Sequence, residues 1–208
     1  MNKDNKLSCF TIGHSNHSTE RFIELLQAYK IDCLVDVRSA PYSKFASQFN
    51  KDFLEVSLKN SKISYLFLGN RLGGRYTNPQ LLFSDGVVNF SKVMDTRTFQ
   101  DGIDEVINKI KNGTIISIMC SEKDPFDCHR FVLVSHGLAL KGVEIKHILE
   151  NGEIISNEAL EDRLLKMYKK DYDQPSLFEP RKTREQALEE AYEMRNKDVA
   201  YALKEEKG

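Results

Sequence analysis

The chain has 208 residues, of which 40% are apolar and 29% charged, so it suits one domain of about 150 residues with an appendage and needs no disulfides to bury a core. Thirty lysines and arginines against 31 aspartates and glutamates leave a formal net charge of -1, which excludes a global pull toward nucleic acid or membrane and confines any polyanion binding to a local patch. No apolar run reaches membrane-spanning length, the start MNKDNKLSCF lacks the apolar core of a secretory signal, and the four cysteines lie largely in apolar runs; a cytoplasmic protein with reduced thiols and no membrane partner is expected.

In chain order, residues 8–12 form the first expected strand, near-continuously apolar as a strand buried on both faces should be. Ser18 can cap a helix in which Phe22, Ile23, Leu25, Leu26 and Tyr29 fall at helical spacing. Strands follow at 33–37 and 63–68, with a helix at 52–59 between them. A helix over 99–110 puts Ile103, Val106, Ile107 and Ile110 on one face, and Lys111, Asn112 and Gly113 turn it into a strand at 114–119. Asp124 and Pro125 read as the N-cap and first residue of a largely apolar helix over 125–140, and a fifth strand runs over 145–149.

Such alternation implies a parallel sheet covered on both faces with right-handed crossovers. The expected fold is α/β: a three-layer, doubly wound, mainly parallel five-stranded sheet in the order 3-2-1-4-5, with a flavodoxin-like order as the alternative. Residues 1–152 make up this domain. Residues 153–208 are a C-terminal helical extension: an amphipathic helix at 157–168, a polar linker at about 169–182, and a charged last helix opened by a capping box of Thr183 and Gln186. That last helix reads as a solvated face or a homodimerisation arm.

Ligands of open parallel sheets sit outside the carboxyl ends of the strands, above all where the winding reverses. Nearly all the reactive residues of this chain fall there: His14 and Asn16 after the first strand, Asp36 and Arg38 at the second, Gly73, Gly74 and Arg75 after the third, and Cys120, Glu122 and Lys123 after the fourth. In the order 3-2-1-4-5 the first and fourth strands are neighbours, so His14 faces Cys120. A histidine, cationic groups or a helix N-terminus can lower a thiol pKa enough to make a nucleophile. Cys120 is accordingly the candidate nucleophile, with His14 or His129 as acid/base, while a plain core cysteine is the competing reading.

Arg130 opens a buried helix and needs a carboxylate or a ligand anion, and Asp36 with Arg38 is either part of the site or an internal ion pair. Arg38, Lys44, Arg71, Arg75, Lys123 and Arg130 outnumber Asp36, Glu122 and Asp124 at this end of the sheet. An anionic ligand follows, with phosphate the commonest such group, and Gly73 and Gly74 permit close backbone approach to it. A cysteine followed by a helix with arginine is similar to thiol phosphatases and sulfurtransferases, but nine residues without a glycine separate Cys120 from Arg130. Cys120, Cys128, His129 and His14 offer four ligating atoms. Their C-x7-C-H spacing is nevertheless unlike the short C-x2–4-C of zinc sites, and consecutive Cys128 and His129 diverge on a helix, so neither metal nor cofactor is expected.

These segments, TIGHSN at 11–16, DVR at 36–38 with Pro41, LGG at 72–74 and CSEKDP at 120–125 with CHR at 128–130, resemble the bacterial and archaeal family named domain of unknown function 488 over about residues 8–150. The resemblance implies an α/β domain with a shared site at these positions, and no particular reaction.

In the linker, QPSLF at 174–178 resembles the short peptide by which bacterial DNA-handling proteins dock on the replication sliding clamp. Leu177 and Phe178 would fill an apolar pocket of the clamp while Gln174 supplies polar orientation. The expected function is an enzyme, a cysteine-dependent transferase or hydrolase, that acts on a phosphate-bearing nucleotide or nucleic acid. The alternative is a non-catalytic module binding the same ligands, recruited to the clamp.

Overall fold

The computed structural model describes residues 6–169 and 182–203. It is α/β, with one mostly parallel sheet whose strands are β1 (Ser8–Gly13), β2 (Cys33–Asp36), β3 (Ser64–Phe67), β4 (Ile116–Cys120), β5 (Glu144–Ile148) and β6 (Ile154–Ser156). Their order is β3-β2-β4-β1-β5-β6, six strands rather than the expected five. Two corrections follow. β4 enters between β1 and β2 and pairs in parallel with both, so β1 and β2 are not neighbours as the order 3-2-1-4-5 requires. β6 adds an antiparallel edge to β5; at three residues, just past the turn at Asn151 and Gly152, it is too short to carry an alternation that sequence could reveal.

β4 is buried at every residue while β3, at the far edge, is half exposed. Placing the most apolar strand centrally removes the most apolar surface from water, at about 25 cal/mol per Å². One sheet face is covered by α1 (Thr19–Ala28) and α2 (Lys51–Asn60), which set Phe22, Leu25, Leu26, Leu54 and Leu58 on Ile12, Leu34 and Met119. Ser18 caps α1 by accepting from the Arg21 amide, as its position before the apolar stripe predicts. The chain from β3 to β4 carries α3 (Gly69–Leu72), α4 (Phe90–Met94) and α5 (Arg97–Lys111). α5 buries Phe99, Ile103 and Val106 on the opposite face, against Val35, Ile116 and Ile118.

The expected continuous helix over 125–140 is broken. Residues Pro125–Asp127 make one 3-10 turn capped by Asp124, Cys128 is extended at φ -135° and ψ 143°, a π-helical turn spans Arg130–Ser135, and α6 (His136–Leu140) follows. Helical spacing of the apolar residues survives a one-residue break, so periodicity alone cannot show it.

After β6 come α7 (Asn157–Met167) and α8 (Arg184–Val199). The capping box of Thr183 and Gln186 is present, and α8 turns Ala187, Ala191 and Tyr192 into the cluster that also contains Phe131. Arg195 runs along the Phe126 ring, donates to the Phe126 carbonyl and pairs with Asp127, while Asn196 bonds the backbone at Val88 and Phe90. No helix among the described residues is long and apolar enough to cross a membrane.

Behind the π-helical turn, His147 on β5 is fully buried between the Thr11 hydroxyl (2.8 Å from Nδ1) and the Asn157 side-chain oxygen (3.2 Å from Nε2). Burial, aided by the nearby Arg130 charge, lowers its pKa to about 3 from 6.5. The folded chain therefore holds His147 neutral where the unfolded chain binds a proton, and stability falls as pH drops below 6.5, by about 1.4 kcal/mol per pH unit for this one group. Urea unfolding between pH 6 and pH 4 should show that slope reduced by about this amount in His147→Gln.

Candidate functional site at the carboxyl ends of the strands

With β4 between β1 and β2, the three strand ends lie side by side. The His14 amide donates to the Cys120 carbonyl at 2.9 Å, Ser15 to Ser121 at 2.9 Å, and Val37 to Met119 at 3.1 Å. Gly13 is the register partner of Cys120. Successive side chains of a strand point to opposite faces, so Cys120 and His14 part company. His14 joins the face of Ile12 and Met119, stacks on Phe49 at 4.4 Å between ring centroids, and meets an Arg38 terminal nitrogen at 3.4 Å. Burial lowers its pKa to about 4, and the Arg38 charge acts in the same sense. Backbone adjacency is as expected; the facing side chains are not.

The partners of Cys120 are instead supplied by its own loop. Its Sγ lies 3.0 Å from Glu122 Oε2 and 3.5 Å from His129 Nδ1; Cys128 Sγ lies 3.0 Å from the same oxygen and 3.9 Å from the same nitrogen. Extended Cys128 is what makes this convergence possible, because it frees Cys128 and His129 from the helical spread expected of them. His129 Nε2 donates to the Val37 carbonyl at 3.0 Å, and Gly74 lies against the imidazole, where an added Cβ would come within 2.9 Å of Cγ. The ring is thus held from β2 and from the loop after α3. Cys120 Sγ, Cys128 Sγ and His129 Nδ1 all lie within 4.8 Å of one another, the arrangement of three metal-ligating atoms.

Charge in this group is shared. Burial pushes the Cys120 thiol up, and the neighbouring Cys128 and Glu122 push it further. For Cys128, burial is outweighed by the hydrogen bond from Cys120 and the charges of Arg130 and His129, which bring its pKa well below the usual thiol value. Burial also opposes charge on His129, but Cys128 and Glu122 beside it raise its pKa. Glu122 is exposed overall, but its Oε2 meets both buried sulfurs, and burial and Cys128 raise its pKa. The sulfur most ready to ionise is Cys128 rather than Cys120, the nucleophile expected from the sequence.

Asp36 and Arg38 form the internal ion pair: Arg38 donates to both Asp36 oxygens and to the Phe49 carbonyl, and Tyr65 donates to Asp36 at 2.7 Å. Arg130 is fully buried and donates to the carbonyls of Glu122 (2.6 Å) and Lys123 (3.1 Å). Gly13 exists for the same contact, because a Cβ there would lie 1.9 Å from the Glu122 oxygen. Lys123 turns away to pair with Glu150, and Asn16 is exposed in the turn after β1. Gly73 allows the loop to touch Ser39, whose hydroxyl accepts from the Arg75 amide at 3.1 Å. Gln174, Leu177 and Phe178 lie outside the described residues.

A cavity of about 220 Å³ opens over this group, lined by Cys120, Cys128, His129 and Glu122 together with Arg38, Ser39, Arg75 and Tyr201. Arg75 is exposed and lays its guanidinium over the Tyr201 ring at 5.5 Å. Tyr201 is held there by its carbonyl, which accepts from Val88. No sequence signal links a residue this near the C-terminus to the strand ends; the signal for Cys128 was present in the CHR triplet.

No curated protein and no solved structure matches the chain. A family model described as domain of unknown function DUF488 matches residues 18–136, from the cap of α1 to the start of α6 and so including Cys120, Cys128 and His129. Extending over more than half of the sequence, that match makes the chain a member of the DUF488 family.

Proposed function

We propose that this protein is an enzyme acting on a phosphate-bearing substrate, a nucleotide or a nucleic-acid end, at the cavity over Cys120, Cys128 and His129. The observation that carries this reading is the convergence of two buried sulfurs and an imidazole nitrogen on an open cavity at the strand ends. A core with no chemical task has little reason to gather three ionisable groups, since each is costly to bury. Arg75 is the exposed cationic side chain among those lining the cavity, whereas Arg38 is tied to Asp36 and Arg130, away from the cavity lining, gives its terminal nitrogens to loop carbonyls. It is therefore the anion contact in this reading, and the reaction centre is the cysteine group as a unit rather than Cys120 paired with His14.

The test is turnover and equilibrium binding on a panel of nucleotides and short oligonucleotides. Cys120→Ala and Cys128→Ala are each expected to lower turnover at least a hundredfold with ligand binding retained. Arg75→Ala should weaken binding about tenfold, equal to about 1.4 kcal/mol. Normal ligand binding with no turnover of any panel member would instead identify a non-catalytic binding module.

A further inference from the structure

We infer that Cys120, Cys128 and His129 form a binding site for one soft divalent metal ion of the zinc class, with its fourth position facing the 220 Å³ cavity. Zinc takes thiolate sulfur at about 2.3 Å and imidazole nitrogen at about 2.0–2.1 Å in tetrahedral geometry, so a sulfur and a nitrogen on the same ion stand about 3.6 Å apart. The two sulfur–nitrogen separations here are 3.5 and 3.9 Å. The two sulfur–nitrogen pairs therefore meet an ion with adjustments of a few tenths of an ångström, and the two sulfurs, within 4.8 Å of each other, approach the roughly 3.8 Å of two thiolates on one tetrahedral ion.

The surroundings fit a ligand set independently of those distances. A metal-bound histidine usually donates its other ring N–H to a carbonyl or carboxylate, which fixes the tautomer and aims the lone pair. His129 does this through Nε2 and the Val37 carbonyl, and so turns the Nδ1 lone pair toward both sulfurs. Gly74 then blocks rotation of the ring from one side. Cys128 Sγ also accepts from the Arg130 amide at 3.4 Å, a backbone donor suited to a thiolate. Softness of the donors selects the ion: two sulfurs and one imidazole suit zinc, cobalt or cadmium and not magnesium or calcium.

Glu122 Oε2, 3.0 Å from each sulfur, is nearer than two ligands of one tetrahedral ion would be. It accepts hydrogen bonds from the two thiols, whose protons pass to solvent when the metal binds. Three protein ligands and one open position are the pattern of catalytic rather than structural zinc. That the open position serves turnover rests on the proposed function; the binding of the ion does not.

The experiment takes the full-length protein, stripped with a chelator under reducing conditions, and titrates it with zinc against a chromophoric competitor, followed by metal analysis after gel filtration. One zinc per chain is expected, with at least a hundredfold loss of affinity in Cys128→Ser and in His129→Gln. Cobalt in place of zinc should give the intense visible bands of a tetrahedral thiolate complex. Because the substitutions could disturb folding, circular dichroism and thermal unfolding are recorded for each, and Cys9→Ser, far from the cluster, should keep one zinc per chain. Zinc below half an equivalent in the wild type, or unchanged affinity in folded Cys128→Ser, overturns the site. Zinc bound by the wild type and lost from the variants, with no turnover of any substrate, supports the site and overturns only the enzyme reading. Turnover by metal-free protein that binds no zinc overturns the site and leaves the enzyme.

Discussion

Asp36→Ala is expected to lower the unfolding free energy by about 3–5 kcal/mol, the cost typical of stranding one partner of a buried ion pair. Asp36 is fully buried and Arg38 nearly so, at 0% and 5% exposure. The carboxylate accepts from the Arg38 side chain through three contacts, from the Arg38 amide and from Tyr65. Burial by itself would lower the Arg38 pKa, but the Asp36 carboxylate outweighs this and raises it. Without Asp36 the guanidinium retains the Phe49 carbonyl and the His14 nitrogen, neither of which carries a compensating charge. The double variant Asp36→Ala with Arg38→Met removes the stranded charge and should be less destabilised than Asp36→Ala alone. Urea unfolding of the two single variants and the double variant checks this; a double variant whose loss equals the sum of the singles would mean that the two side chains do not act as a pair.

Arg130→Ala is expected to cost about 3–6 kcal/mol, two hydrogen bonds from a charged donor at about 1.5–3 kcal/mol each, and also to open the cysteine group. The guanidinium is fully buried, and two carbonyls of the loop after β4 accept from it. Its Nε has no partner among the described residues. Loss of the side chain leaves the Glu122 and Lys123 carbonyls unsatisfied and frees the loop that carries the Glu122 carboxyl to both sulfurs. Cys120 and Cys128 should then alkylate at least tenfold faster than in the wild type. Lysine cannot replace the fork with a single ammonium group, so Arg130→Lys should rescue less than half of the stability. An anion clamp behaves differently: its removal weakens ligand binding and leaves unfolding and thiol reactivity unchanged.

Much of the fold was legible because local chemistry encodes it. The five longer strands are near-continuous apolar runs, and the structure shifts their ends by at most two residues. The helices at 19–28, 51–60, 97–111 and 157–167 follow from apolar spacing, with Ser18 as the cap of the first, and the charged helix at 184–199 follows from its capping box of Thr183 and Gln186. α4 was missed because five residues do not complete a periodic pattern, and the one-residue break at Cys128 was missed because the apolar spacing continues across it.

The candidate site divides in the same way. Sequence placed Cys120, Glu122, His14, Arg38, Gly74 and Arg75 at one end of the sheet, since residues that follow parallel strands must gather there. It could not decide which of them touch. Gly13, not His14, is opposite Cys120, and that single step of register sends the histidine to the other face. Arg130 carried the same charge pattern as an anion contact, and only the path of the loop from Ser121 to Asp124 shows that it binds carbonyls instead.

By itself, then, the sequence determined the α/β class, most element boundaries, the polar end of the sheet and membership of a family, because each depends on residues near in the chain or on a shared motif. The tertiary structure alone decided that β4 lies between β1 and β2, that an extended Cys128 turns toward Cys120 and His129, and that Tyr201 reaches the cavity. The first and the last depend on pairings between segments many residues apart, where strand order and register are chosen by total burial and backbone hydrogen bonding rather than by any local preference; the second depends on a backbone break within one loop across which the apolar spacing continues.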